Sequence, residues 1–233
     1  MLRKAGAMVI SCPLIRISYA VDTAPLEAAL RRMNEYAWLM VTSQHAVLAI
    51  KKRLAALRLD TRVFGSTRIA AIGPATNAAL RRIGLRSDFV PTLHTGEALV
   101  AQLSAVHSLD GSHVLYPRAD IAGEALAGRM RKCGATVDDI VAYATVVCVP
   151  PEWALARLAD ENDVLVFSSP SAMRQFANLQ LSGGSAKIAC LGPTTARAAE
   201  ACGLSVDIVA ANHSGEGLLD ELAGYFEALA TSK

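Results

Sequence analysis

The chain has 233 residues and a formal net charge of +2, without the basic excess of a nucleic-acid binder. That length allows one large domain or two of roughly 115 residues, either able to bury a core. Apolar residues make up 52% and aromatics only 5%, which suits packed α/β layers better than an aromatic-rich β-sandwich, and no apolar run reaches the roughly 18 residues that cross a bilayer.

In chain order, LRKAGAMVISCPLI (Leu2–Ile15) is a short apolar opening without the cleavage pattern of a secretory signal, and it leads into an extended stretch, PLIRISY. WLMVTSQHAV (Trp38–Val47) reads as an apolar strand, a Thr-Ser turn and a helix start. RIAAIGPATNAALRRIGL, from Arg68, reads as a buried strand, a Gly-Pro turn and a helix; a short strand and the turn His94–Glu97 then open another helix. Next come the strand HVLYPR, an Ala-Asp turn, the helix EALAGRMRKCG, and the strand ATVDDIVAY running on into YATVVCV. DVLVFSSPSAM (Asp163–Met173), KIACLGPTTARAAEACGL from Lys187 and the turn His213–Glu216 write the same strand–turn–helix series again.

The repetition is a duplication. A shift of 119 lays Arg68–Leu103 on Lys187–Leu222 without a gap, and 15 of the 36 positions are identical. They include Gly73/Gly192, Pro74/Pro193, Thr76/Thr195, Gly84/Gly203, Asp88/Asp207, His94/His213 and Glu97/Glu216. Upstream, Trp38–Val47 echoes Asp163–Met173 at an offset of 126, and Leu2–Ile15 echoes Met130–Tyr143 at an offset of 128. Strands alternating with helices predict a parallel sheet. The expected fold is therefore α/β: two similar parallel-sheet domains, one inserted into the other, joined by a two-stranded hinge. Residues 1–17 with 149–233 form the first, discontinuous domain, and 18–148 the inserted one, including the hinge strand near 141–148. HVLYPRADIAGEALAGR has no counterpart ahead of Met1, so the first domain's opening strand and helix are expected to be missing, by truncation or as a real variant.

A turn from a parallel strand into a helix collects unpaired N–H groups and the positive end of the helix dipole at the carboxyl edge of the sheet, where ligands of open α/β sheets bind. Here the turns carry hydroxyls: Thr42, Ser43, Thr76, Thr95, Ser168, Ser169, Ser171, Thr194, Thr195 and Ser214. Such groups hold carboxylates or phosphates without a fixed cation. Each hydroxyl also reads as an ordinary helix cap, and Pro74 and Pro193 as ordinary first helical residues. What favours a ligand is their recurrence in both halves, which would face one cleft. No G-x-G-x-x-G or P-loop pattern is present.

Other candidates are sparse. Arg118, at the end of HVLYPR, and Lys187, matched by Arg68, could meet an anion or serve as solvated and edge charges. His94 and His213 occupy equivalent turns without a second ligand at metal spacing, so turn roles are the simpler reading. Ser43 and His45 do not by themselves make a nucleophile and base. Tyr143 reads as core or as a functional phenol, and the five cysteines, with no C-x-x-C pair, as reduced buried thiols.

VTSQHAV, AAIGPATNAALRRIGL, YPRAD, VAYATV, VFSSPSAM and CLGPTTARAAEACGL, in that order, resemble the uroporphyrinogen-III synthase family over nearly the whole chain. The resemblance implies a cytoplasmic tetrapyrrole-pathway lyase, monomeric, needing no metal or organic cofactor, no nucleic acid and no membrane. Its substrate would be hydroxymethylbilane, a linear tetrapyrrole polycarboxylate, met through transient contact with hydroxymethylbilane synthase. Cyclisation to uroporphyrinogen III inverts the last ring through an azafulvene and a spiro intermediate. Carried over residue by residue, the family's proton-donating tyrosine matches Tyr143, its cleft hydroxyls Thr42, Ser43, Thr76, Ser169 and Thr195, and its lysine Lys187. Ser168, Thr194 and Arg118 complete the expected substrate-binding set. Two alternatives stay open: a non-catalytic two-domain binder of a small anion, and an inactive truncated synthase.

Overall fold

The computed structural model describes residues 1–19, 22–159, 164–181, 184–212 and 214–231; Asp163 and His213, named above, lie outside the described residues. By contacts the chain divides into two compact units, Ile17–Thr145 and Met1–Arg16 with Val146–Lys233.

The continuous unit follows the sequence pattern closely. Its elements are β1 (Ile15–Ser18), α1 (Ala24–Arg31), β2 (Trp38–Val41), α2 (Gln44–Ala56), β3 (Arg68–Ala71), α3 (Pro74–Arg81), α4 (Gly96–Val106), β4 (His113–Ala119), α5 (Ala125–Lys132) and β5 (Thr136–Val147). The sheet order is β1-β5-β4-β2-β3, with β2/β3, β2/β4 and β4/β5 all parallel. All four β2 residues are buried. Alternate side chains of a strand point to opposite faces, and β2 uses both: Leu39 and Val41 pack with Leu26, Leu30 and Ile50, while Trp38 and Met40 pack with Leu99, Leu103 and Val114. A strand covered on both faces reads as a continuous apolar run, which is why WLMV shows no alternation.

The discontinuous unit holds α6 (Glu152–Ala159), β6 (Val164–Phe167), α7 (Pro170–Asn178), β7 (Lys187–Cys190), α8 (Pro193–Ala201), β8 (Ile208–Val209) and α9 (Gly215–Thr231). Its parallel sheet runs β6-β7-β8. β7 again serves two cores, Ile188 and Cys190 beside Phe167 and Met173, and Ala189 beside Ile208 and Leu218. The opening segment differs from its internal echo: Leu2–Ala5 is a single 3₁₀ turn, and no strand forms before Ile15. Pro13 in that stretch has no N–H to give to a ladder.

The duplication is visible in bonds as well as letters. The second amide of β3, Ile69 N–H, donates to Asp88 Oδ2 at 2.7 Å, and its counterpart in β7, Ile188 N–H, donates to Asp207 Oδ2 at 2.9 Å. Gly84 and Gly203 follow their helices with φ of 84° and 76°, the left-handed region that favours glycine. At Gly73 the constraint is different: a Cβ there would stand 3.1 Å from the exposed His94 ring, which would have to shift by a few tenths of an ångström. The repeat departs after the second helix: β8 pairs over two residues, whereas its counterpart near Phe89 makes one bridge, to Ala70.

Candidate active site

At the carboxyl edge of the five-stranded sheet, Thr42 and Ser43 follow β2. Ser43 has extended backbone and caps α2, its Oγ accepting Ala46 N–H at 3.0 Å. The same oxygen lies 2.9 Å from the hydroxyl of Tyr143 on β5, a side chain only 7% exposed. One position back, Thr42 hydrogen-bonds the buried phenol of Tyr116 on β4. The β5-β4-β2 order brings the hydroxyls of one turn against phenols from the neighbouring strand, β4, and from the strand beyond it, β5. Burial pushes the Tyr143 phenol above its ordinary range; the Ser43 bond opposes this and the nearby Asp120 charge adds to it. Burial likewise raises Tyr116, partly offset by Thr42.

A third aromatic side chain joins this edge. Tyr19, just after β1, places its hydroxyl 3.0 Å from His45 Nδ1 in the first turn of α2. The Tyr19, His45 and Tyr143 rings form one cluster with centroids 5.6 to 6.5 Å apart, and the Lys52 ammonium sits 4.4 Å over the Tyr19 ring. Ser43 and His45, two residues apart, are therefore bonded to different phenols. They do not form a nucleophile and its base.

Arg118 is in the same unit but already engaged. Its Nε donates to Asp139 of β5, and its Nη1 donates to the carbonyls of Ala119 at 2.9 Å and Asp120 at 3.4 Å. Thr76, in the first turn of α3, is 3% exposed, so its hydroxyl is packed inside the fold. His94 packs on Gly73, a spacer role.

The discontinuous unit repeats the turn chemistry without a phenol partner for its cap among the bonds described. Ser169 caps α7 by accepting Ala172 N–H at 3.2 Å; Ser168 beside it is exposed. After β7, Thr194 is exposed and Thr195 is 4% exposed in the first turn of α8. Lys187 stands apart from them. It opens β7, so it sits at the amino edge of the sheet, about 13 Å along a four-residue strand from the turn. Its ammonium is 2.9 Å from Asp207 Oδ1, and that hydrogen bond raises the lysine's affinity for its proton.

Sequence reasoning did not assign Tyr19, Tyr116 or Asp139. It left His45 without a partner and gave Asp88 and Asp207 only as matched letters. The matched aspartates were a usable signal, since each accepts an amide of the strand that precedes it, Ile69 of β3 and Ile188 of β7. The cysteines are free thiols, Cys190 buried and the other four half-buried, and burial raises Cys190 and Cys12 above the ordinary thiol range. Replacing Ser43 by Ala should remove the α2 cap and release Tyr143, lowering stability by about 1 kcal/mol in urea unfolding.

Two parallel α/β units built on repeated strand–turn–helix segments, one with paired phenols and hydroxyls at the carboxyl edge of its sheet, define an α/β protein of the class that binds ligands at that edge. The chain belongs to the uroporphyrinogen-III synthase family: the family model described as Uroporphyrinogen-III synthase HemD matches residues 1–220. It is 27% identical over 230 residues to the uroporphyrinogen-III synthase of Synechococcus elongatus, covering 94% of this chain and 86% of that one. It is 28% identical over 211 residues to the chloroplastic uroporphyrinogen-III synthase of Oryza sativa, covering 87% of this chain and 68% of the relative. In fold it is similar to a mutant uroporphyrinogen III synthase from Thermus thermophilus, with a TM-score of 0.67, 20% identity, and 99% and 92% of the two chains covered. It is also similar to the uroporphyrinogen-III synthetase of Helicobacter pylori, with a TM-score of 0.63, 19% identity, and 91% of each chain covered.

Proposed function

We propose that this protein cyclises hydroxymethylbilane to uroporphyrinogen III, with inversion of the last pyrrole ring and loss of water, and that Tyr143 supplies the proton that lets the hydroxyl leave. The observation that carries the reading is the Tyr143 phenol held on Ser43 at the start of α2, in a chain that matches the family from residue 1 to 220.

Ser43 Oγ accepts a backbone amide, and in the arrangement we propose its own O–H donates to the Tyr143 oxygen. That leaves the Tyr143 O–H to point at the substrate's hydroxymethyl oxygen. Burial keeps the phenol protonated through neutral pH, the state an acid must hold before it acts. Transfer of the proton releases water and leaves the azafulvene. The substituted carbon of the last ring attacks it, the spiro intermediate fragments, and reclosure gives the inverted isomer. Proton loss from the closing carbon restores the pyrrole and balances the proton used at the start. The phenolate left behind is stabilised by the Ser43 hydroxyl and by the positive end of α2.

Turn hydroxyls and helix N–H groups suit carboxylates: in the continuous unit Thr42, half-buried like Ser43, and in the discontinuous unit Ser169, half-buried, with Ser168 and Thr194 exposed. Thr76 and Thr195 are buried and shape these turns from within, and Lys187 supports β8 through Asp207. Family resemblance also supports a monomer in the cytoplasm, built as two duplicated units and receiving its substrate by transient contact with hydroxymethylbilane synthase. No helix among the described residues is long and apolar enough to cross a membrane.

The test is to supply hydroxymethylbilane and resolve the product isomers. Uroporphyrinogen III is the expected product. Isomer I alone from folded protein would reject the reading, because unassisted closure gives the uninverted ring.

A further inference from the structure

We infer that Tyr19 and His45 act as a positioning pair for Tyr143, and that His45 must be neutral for the Tyr143 hydroxyl to stay seated on Ser43. The inference rests on the reading of Tyr143 as the proton donor. Three chain segments meet here: Tyr19 follows β1, His45 lies in the first turn of α2, and Tyr143 is on β5. The Tyr143 ring has His45 on one side at 5.6 Å and Tyr19 on another at 6.4 Å, both tilted, while its hydroxyl is tied to Ser43. The 3.0 Å bond from Tyr19 to His45 Nδ1 locks the two flanking rings to each other. The Tyr143 ring is thus confined by a pair that carries its own polar connection.

Which way that bond runs decides the protonation state. A phenol O–H is a stronger donor than an imidazole N–H, and an imidazole nitrogen a stronger acceptor than a phenol oxygen. Tyr19 therefore donates to Nδ1, and the His45 proton sits on Nε2. Two influences hold the ring in that neutral form. Burial lowers the His45 affinity for a second proton, and the positive amino end of α2 opposes a cation in its first turn. The charged groups around the cluster are Lys52 on α2, which covers Tyr19, Asp22 and Arg53, which line a pocket with Tyr19 and Lys52, and Asp120, after β4, which acts on Tyr143. Lys52 adds to the opposition, and Asp120 is felt at the far ring of the cluster.

A second proton on His45 turns Nδ1 into a donor. The Tyr19 bond must then reverse, and a cation is placed at the amino end of a helix beside a buried phenol. The sign follows: the pair is intact above the ordinary histidine value of about 6.5 and is lost as pH falls below His45's lowered one. Turnover should show an acid limb that belongs to a residue that never touches the reacting atoms.

The experiment measures kcat and KM for isomer III formation from pH 8 to pH 5, with circular dichroism at each pH to follow folding. Wild type should lose turnover about tenfold per unit below the His45 value, at nearly constant KM. His45→Gln keeps a hydrogen-bonding side chain that does not titrate; it should lower kcat at pH 8 by about threefold and flatten the acid limb. Tyr19→Phe removes a bond made to the neutral ring, so it should move the acid limb to higher pH and lower kcat by about threefold to tenfold. If His45→Gln does not fold, the shift in Tyr19→Phe decides alone. An unchanged acid limb in the folded variants would overturn the inference. Wild type yielding only isomer I would instead overturn the proposed function, so the two failures are distinct.

Discussion

Tyr143→Phe is expected to lower kcat for uroporphyrinogen III formation by about 10²-fold, the lower end of what a positioned general acid contributes, with little change in KM. The substitution keeps the ring among Tyr19 and His45 and removes only the hydroxyl that meets Ser43. One lost hydrogen bond should cost about 1 kcal/mol of stability, too little to unfold a domain with about 5 kcal/mol or more in hand. Activity and stability therefore separate cleanly. The residual rate comes from orientation of the substrate, which the phenol does not provide. The inverted isomer should still dominate the product, because inversion is decided by which carbon reaches the azafulvene. Unchanged turnover would return Tyr143 to a packing role.

What could be read in the letters and what could not divides by range. The alternation of apolar strands and capped helices, the two Gly-Pro turns and the parallel sheets are local features, and each follows from a short string. Ser43 and Ser169 cap their helices as residues of that type do. Contacts made by register were not legible. Ser43 and Tyr143 are 100 residues apart and meet because β4 lies between β2 and β5 in one parallel sheet. Only family resemblance raises Tyr143 above its neighbours in the sequence. Tyr19 and His45, 26 residues apart, lie on segments whose mutual approach no periodicity encodes.

Equivalent letters also did not guarantee equivalent chemistry. Arg68 and Lys187 open matching strands, yet Arg68 stacks over Trp38 and reaches His107, whereas Lys187 pairs with Asp207. Thr76 and Thr195 are matched and both buried, so their identity reflects a packed turn as much as a hydroxyl on offer. The strand alternation placed Lys187 near the turns in sequence, but four residues of extended chain carry it to the far edge of the sheet. Identical positions across a duplication thus report first on backbone geometry, as the paired Asp88 and Asp207 bonds do.

Asp139→Ala is expected to be the most destabilising change at the site, by about 3–5 kcal/mol, because it leaves the Arg118 guanidinium buried without its carboxylate. The two side chains are 14% and 10% exposed, and the remaining bonds of Arg118 go to main-chain carbonyls that cannot neutralise it. A pair this far from water is weakly screened, so the loss should persist in high salt. Arg118→Met combined with Asp139→Leu removes both charges at once and should recover most of the loss, since apolar groups of similar size often replace a buried pair without penalty. The double variant also settles what the arginine is for. With the guanidinium committed to Asp139, KM for hydroxymethylbilane should stay within about twofold of wild type. A KM raised about tenfold in a folded double variant would mean that Arg118 leaves Asp139 to meet a substrate carboxylate. Urea unfolding of the four proteins in the cycle gives the coupling between the charges, and steady-state kinetics on the two folded end points gives the role.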